Sequence, residues 1–190
     1  MKILEKIPSM DRRRLAQLKE NCSNIVENGP ESKRADAVKI LSEIEAELNR
    51  RLEEESERQR ASRAEIEIEM RDKPLFERVL RAFEKIPPRE AELKWLRVLA
   101  ANPGADIYRL AAEAGSKSGG TTNLKIGSIC RIREHYLGSA PPSTTRAGEK
   151  LYSALLIDFE HHKDESGKVW TGWRLKKEAE AALCHLGILN

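Results

Sequence analysis

The feature that most restricts the fold of this chain is a glycine-containing turn between two helical patterns in residues 114–138, "AGSKSGGTTNLKIGSICRIREHYLG". A phosphate-binding loop needs G-x-x-x-x-G-K-[ST] after a buried strand. Gly115 and Gly120 have this spacing, but Thr121 stands where the lysine is required. The preceding "DIYRLAAEA" has a helical rather than a strand pattern. The turn therefore predicts two packed helices and not a nucleotide loop.

The second of these helices has an apolar face and a basic face. Ile126, Ile129, Ile132 and Tyr136 lie at steps of three and four, so we expect them to dock on the domain core. A helix, a glycine-containing turn and a basic helix form the helix-turn-helix pattern, in which the second helix enters the major groove of DNA. We predict such a recognition helix over residues 121–137. The residues of this helix and of the turn before it that we expect to contact bases or phosphates are Lys117, Thr121, Thr122, Asn123, Lys125, Arg131 and Arg133.

A change of pattern follows the Pro/Ser/Thr-rich loop at 139–150. "LYSALLIDF" and "KVWTGWRL" are rich in β-branched and aromatic residues and flank the polar "EHHKDESG". This arrangement predicts a β-hairpin, in which Trp170 and Trp173 pack towards the core. "KKEAEAALCHLGIL" then predicts a closing helix.

This order of elements over residues 89–190 resembles a winged helix-turn-helix domain. The resemblance is carried by "DIYRLAAEAG" as second helix, "TTNLKIGSICRIREHYLG" as recognition helix, the hairpin as wing and the closing helix. The same stretch looks like uncharacterised C-terminal modules of bacterial and phage proteins. The resemblance implies that a wing over 158–170 contacts the DNA backbone. The wing residues nominated for this role are His161, His162, Lys163 and Lys168.

The N-terminal region predicts a helical hairpin over residues 1–52. Gly29 and Pro30 separate two apolar stripes, and we expect the two helices that carry the stripes to pack antiparallel. The stripes are Leu15, Leu18, Cys22 and Ile25, and then Val38, Leu41, Ile44, Leu48 and Leu52. A two-helix unit cannot bury both stripes fully, so we expect self-association into a dimer or larger oligomer.

The remaining boundaries follow from charge. Thirteen of the 21 residues in 53–73 are charged, and this composition predicts a helical spacer, with a disordered linker as the alternative. Residues 74–190 form the predicted winged-helix domain and carry 18 Lys and Arg against 14 Asp and Glu, an excess that favours a polyanionic partner. The fold class is mainly α: an antiparallel helical hairpin with a long charged helix, then a winged helix-turn-helix with a β-hairpin wing.

No catalytic, metal or cofactor site is predicted. The sequence contains no Cys-x-x-Cys pair, no G-x-S-x-G and no H-E-x-x-H, and it has no apolar run that could span a bilayer. We expect a cytoplasmic, nucleoid-associated, non-enzymatic protein that binds double-stranded DNA, as an oligomeric transcriptional regulator of bacterial or phage type. One alternative is a protein-interaction adaptor that uses the winged helix for docking. Another is a metal-dependent nuclease using Asp158, Glu160, His161, His162, Asp164 and Glu165.

Overall fold

A computed structural model describes residues 2–163, 165–167 and 169–189. The chain is mainly helical and has a two-stranded antiparallel sheet near its C-terminus, as predicted for the fold class at this level. It divides into two compact units at Ser62 and Arg63. Within the described ranges, no helix has the length and apolar character needed to cross a bilayer.

The first unit is a helical hairpin. A 3-10 helix, Leu4–Ser9, precedes α1, Arg12–Asn28, and α2 spans Glu31–Met70. Arg12 pairs with Glu55 and Lys19 with Glu45, so α1 and α2 run antiparallel. The small core contains Ile7, Leu15 and Ile44. The predicted hairpin is therefore present, although its second stripe is displaced.

The buried stripe of α2 is displaced because Ala37 lies in the interface in place of Val38. Val38 and Leu52, both assigned to the stripe, are exposed. Glu47 is buried one turn after Ile44, and it accepts hydrogen bonds from Arg50 and Arg51. These two bonds lower the pKa of Glu47 to about 2. A paired carboxylate thus occupies a position where the sequence pattern favours an apolar side chain.

The predicted spacer is helical as far as Met70, where α2 ends. The charged pairs along it include Glu54 with Arg58, at the i,i+4 spacing expected from the sequence. Of the two possibilities for this segment, the helix is confirmed over residues 53–70. The boundary between the two units falls inside the predicted spacer.

In the part of the chain that the structure describes, the second unit packs six α-helices and a hairpin around one core. The helices are α3 (Leu75–Lys85), α4 (Glu90–Ala101), α5 (Ile107–Glu113), α6 (Gly119–Arg131), α7 (Glu134–Leu137) and α8 (Lys177–His185). A 3-10 helix, Tyr152–Leu155, leads into the hairpin. α3 packs on α8, and both α4 and α5 pack on α6. Their shared core includes Val79, Phe83, Leu96, Leu99, Ile126 and Ile129.

The β-hairpin consists of β1, Ile157–Lys163, and β2, Val169–Leu175. The pairing runs from Ile157 opposite Leu175 to Lys163 opposite Val169. Trp173 is buried against Phe159, with ring centroids 5.1 Å apart, which confirms its predicted packing on the core. Trp170 instead lies half-buried against the ring of His162.

A short segment before α5 forms an isolated antiparallel bridge with β2. The Gly104 amide donates to the Trp173 carbonyl at 2.8 Å, and the Trp173 amide donates to the Ala105 carbonyl at 2.9 Å. Gly172 lies beside this junction, where an added Cβ would stand 2.6 Å from the Gly104 carbonyl oxygen. Glycine at 172 is therefore required by close backbone approach.

The predicted single helix over 121–137 is wrong. α6 begins two residues earlier, at Gly119, and ends at Arg131, and α7 follows after a break at Ile132 and Arg133. Ile132, assigned to the core-facing stripe, is 42% exposed.

Candidate nucleic-acid interface

The turn between α5 and α6 is a capped and closely packed structure. Gly115 has φ of +68°, and its amide donates to Ala112 while the Ser116 amide donates to Ala111. These two bonds are the Schellman pattern that ends a helix at a glycine. Gly119 then lies against Tyr108, whose Cδ1 would be 2.8 Å from an added Cβ. The first glycine of the pair therefore allows α6 to begin in contact with α5.

Thr122 fixes the start of α6 to α5 instead of facing solvent. Its side chain is fully buried, and its hydroxyl donates to the Ile107 carbonyl at 2.9 Å. The prediction that Thr122 contacts DNA is wrong. Thr122 precedes Ile126 by four residues, so it shares the core-facing line of the helix.

Arg133 is also internal, with 0% of its side chain exposed. Its guanidinium donates to the carbonyls of Ile86 (2.9 Å) and Ile129 (2.8 Å) and to Glu92 Oε2 (2.9 Å). It also lies over the ring of Phe83, 4.4 Å from the centroid. The prediction of a DNA contact at Arg133 is wrong, because none of its side chain is exposed and three of its five N–H groups donate to acceptors of the protein core.

The exposed face of α6 has Leu124, Ser128 and Arg131 at its centre, at steps of four and three. Leu124 is 69% exposed, which is unusual for a leucine on a packed helix. Lys125 lies on one flank of this face. Neither Arg131 nor Lys125 forms an ion pair with a carboxylate in the described part of the chain. We call Leu124, Lys125, Ser128 and Arg131 the outer face of α6.

Asn123 lies on the opposite flank and is held by a neighbour. The buried Ser153 hydroxyl donates to Asn123 Oδ1 at 3.1 Å. A bidentate contact with adenine uses both the oxygen and the nitrogen of the amide. The amide oxygen of Asn123 has a second lone pair, so such a contact requires it to accept two hydrogen bonds at once.

The hairpin separates its two histidines onto opposite faces. His161 faces Thr171, with 3.3 Å between Nδ1 and Oγ1, and His162 stacks on Trp170 with centroids 5.2 Å apart. Glu160 lies near His162 and pairs with Arg174 at 2.8 Å. His161 and Lys163 are exposed, as expected for contacts with a partner.

The carboxylates and histidines of this hairpin do not assemble a metal site among the residues described. Within those ranges, no group of three His, Cys, Asp or Glu side chains is arranged to hold an ion. His161 is directed away from Glu160 because adjacent strand residues point to opposite faces. Asp164, part of the nuclease alternative, lies outside the described residues.

The predicted contact residues therefore fall into four groups. Six are exposed: Lys117, Asn123, Lys125, Arg131, His161 and Lys163. Thr121 and His162 are half-buried, Thr122 and Arg133 are buried, and Lys168 lies outside the described residues. Leu124 and Ser128 were missed, although both lie opposite the line of Ile126 and Ile129. Comparisons with protein-family models, with curated proteins and with solved structures give no match for this chain.

Proposed function

We propose that this chain is a non-enzymatic double-stranded DNA-binding protein in which the outer face of α6 enters the major groove. The observation that carries the proposal is the presence of Arg131 and Lys125 on an exposed helix face without a carboxylate partner among the described residues. Burial of Thr122 and the contacts with α4 and α5 hold α6 firmly, so its outer face is presented by a rigid element. Arginine and lysine are the residues that most often contact guanine edges and phosphates.

We further propose a winged helix-turn-helix architecture for the second unit. The order of α4, α5, α6, hairpin and α8 supports it, as does the pairing of Ala105 with Trp173 beside the hairpin. In this proposal the hairpin is the wing. His161 and Lys163, exposed near its tip, contact phosphates without reading sequence.

Self-association through the first unit completes the proposal. Val38 and Leu52 are exposed on α2 and offer apolar surface to a second copy. Two tethered DNA-binding units gain affinity because the second binding event becomes intramolecular. The biological role we propose is transcriptional regulation of bacterial or phage type, at the nucleoid.

Fluorescence anisotropy of a labelled random duplex tests DNA binding. We expect the wild-type protein to bind with an affinity that falls steeply as salt is raised. Lys125→Glu is expected to weaken binding strongly, whereas Lys33→Glu, an equal charge change on an exposed residue of α2, leaves it nearly unchanged. Equal effects of the two substitutions would show that net charge alone attracts DNA and that α6 has no special role.

A protein-interaction adaptor is a second candidate, favoured by one observation. Leu124 and Ile132 are both exposed large apolar residues on or beside the outer face of α6. Such residues are typical of protein contacts more than of phosphate contacts. In this case Lys125→Glu leaves partner binding largely intact, and Leu124→Ser abolishes it.

A further inference from the structure

A groove of about 690 Å³ lies between α6 and the loop that follows α7. The loop folds back on itself: the Ser143 amide donates to the Glu149 carbonyl, and the Leu151 amide donates to the Pro141 carbonyl, each at 2.8 Å. The Ser143 hydroxyl also accepts from the Arg146 amide at 3.2 Å. We call residues 141–151 the loop arm. Its hydrogen bonds give it a defined conformation beside α6.

Two arginines face this groove from opposite walls. Arg131 reaches it from α6 and lies over the ring of Tyr152, 5.9 Å from the centroid. Arg146 reaches it from the loop arm, where it pairs with Glu149 at 3.3 Å. Both members of that pair are more than half exposed, at 67% and 59%, so the pair contributes little and Arg146 can exchange Glu149 for a ligand.

Lys150 also lines the groove, but it forms an ion pair with Glu134. Its ammonium group lies 2.6 Å from Glu134 Oε1, and this contact raises the pKa of Lys150. The cationic groups available to a ligand are therefore Arg131 and Arg146. Two guanidinium groups on opposite walls of a polar groove suit a phosphate, since each can donate two parallel hydrogen bonds to its oxygens.

We propose that this groove holds a backbone phosphodiester of the DNA strand that borders the major groove, between Arg131 and Arg146. The inference rests on the proposed function, because it requires α6 to approach duplex DNA. A helix in the major groove has a sugar-phosphate strand along each flank. The loop arm lies along the Asn123 flank of α6, so it meets one of those strands. Glu149 opposes the phosphate and moderates its binding.

The double variant Arg131→Gln with Arg146→Gln tests this site. We expect the slope of log affinity against log salt to fall by about two units, and the affinity at 0.1 M salt to fall about 60-fold. The matched control is Lys33→Gln with Arg60→Gln, which removes two exposed cations from α2 and is expected to change the slope little. Far-ultraviolet circular dichroism, which reports on the helices of both units, checks that each variant is folded.

Glu149→Gln provides a second test, in which DNA affinity is expected to rise and not to fall. Removal of this exposed carboxylate frees Arg146, so we expect duplex binding to tighten by several-fold. Unchanged affinity in both Glu149→Gln and the double arginine variant, with normal salt-dependent binding by the wild type, would overturn the groove assignment and leave the proposed function standing. No duplex binding by the wild type at any salt would overturn both.

A small phosphate ester is the other source of the same chemistry. Calorimetric titration with adenosine monophosphate distinguishes it from the DNA backbone. Micromolar binding that the double arginine variant abolishes, together with duplex binding that the variant leaves intact, would assign the groove to a small molecule and overturn the assignment to DNA. Weak or absent binding of the nucleotide, with the loss of duplex affinity expected above, supports the assignment.

Discussion

Arg133→Ala is the perturbation whose effect follows most directly from the structure. The guanidinium group makes three hydrogen bonds, to the carbonyls of Ile86 and Ile129 and to Glu92, and none of its side chain is exposed. Its removal leaves buried carbonyls without donors and a largely buried carboxylate without its partner. Breaking a buried ion pair costs about 3–5 kcal/mol. We expect a loss of about 4 kcal/mol in the free energy of unfolding, a large share of the stability of a domain this size.

Urea unfolding followed by tryptophan fluorescence measures this loss in the relevant unit. All three tryptophans, Trp95, Trp170 and Trp173, belong to the second unit, so the signal reports on that unit alone. Arg131→Ala is the control, because Arg131 is exposed and two residues away, and we expect a change below about 0.5 kcal/mol. Arg133→Lys keeps the charge but cannot make the same set of directional hydrogen bonds. We therefore expect its loss in the free energy of unfolding to lie between those of Arg133→Ala and Arg131→Ala.

Two results would refute this reasoning. A loss below about 1 kcal/mol for Arg133→Ala would mean that the hydrogen bonds contribute little beyond hydration of the same groups. A loss of DNA affinity in Arg133→Ala with unchanged stability would indicate that Arg133 contacts DNA directly, as the sequence pattern predicts.

Other substitutions test the remaining parts of the account. Gly172→Ala should cost about 2 kcal/mol, because its Cβ would lie 2.6 Å from the Gly104 carbonyl, whereas Gly120→Ala should stabilise by about 0.5 kcal/mol; urea unfolding measures both. In the folded protein the pKa of Glu47 is lowered from 4.5 to about 2. The stabilisation of the native state by this carboxylate is therefore complete above pH 4.5 and is lost as the pH falls towards 2. Glu47→Gln should flatten this pH dependence of the melting temperature, as measured by circular dichroism. Lys163→Ala should reduce the salt slope of duplex binding by about one unit for every sequence tested, as measured by anisotropy.

Much of the second unit could be predicted because its signals are local. Gly115 ends α5 through a turn that glycine favours, and the aromatic and β-branched runs flanking a polar tip form the predicted hairpin. Both features depend on residues close in sequence, and the most distant strand pair of the hairpin, Ile157 and Leu175, is 18 positions apart. The exposed side chains of Lys125 and Arg131 follow from the helical period of α6.

The residues that could not be predicted depend on distant partners. Arg133 is buried because Ile86 and Glu92, 47 and 41 residues earlier, supply acceptors at its position. Sequence composition favours an exposed arginine, and only the four-residue step from Ile129 hints otherwise. In the first unit, the buried Glu47 forms ion pairs with Arg50 and Arg51. These pairs offset the cost of placing its charge at a core position. A polar residue with a complete set of partners thus behaves as a core residue.

Chemical-shift mapping of the ¹⁵N-labelled protein with a short duplex tests whether DNA contacts the outer face of α6. Amide signals report each part of the chain separately, so the contact surface is located without substitutions. We expect shifts concentrated in the outer face of α6, in the loop arm and near Lys163, with residues 31–62 little changed. Shifts confined to residues 31–62, or no shifts at low salt, would contradict this expectation.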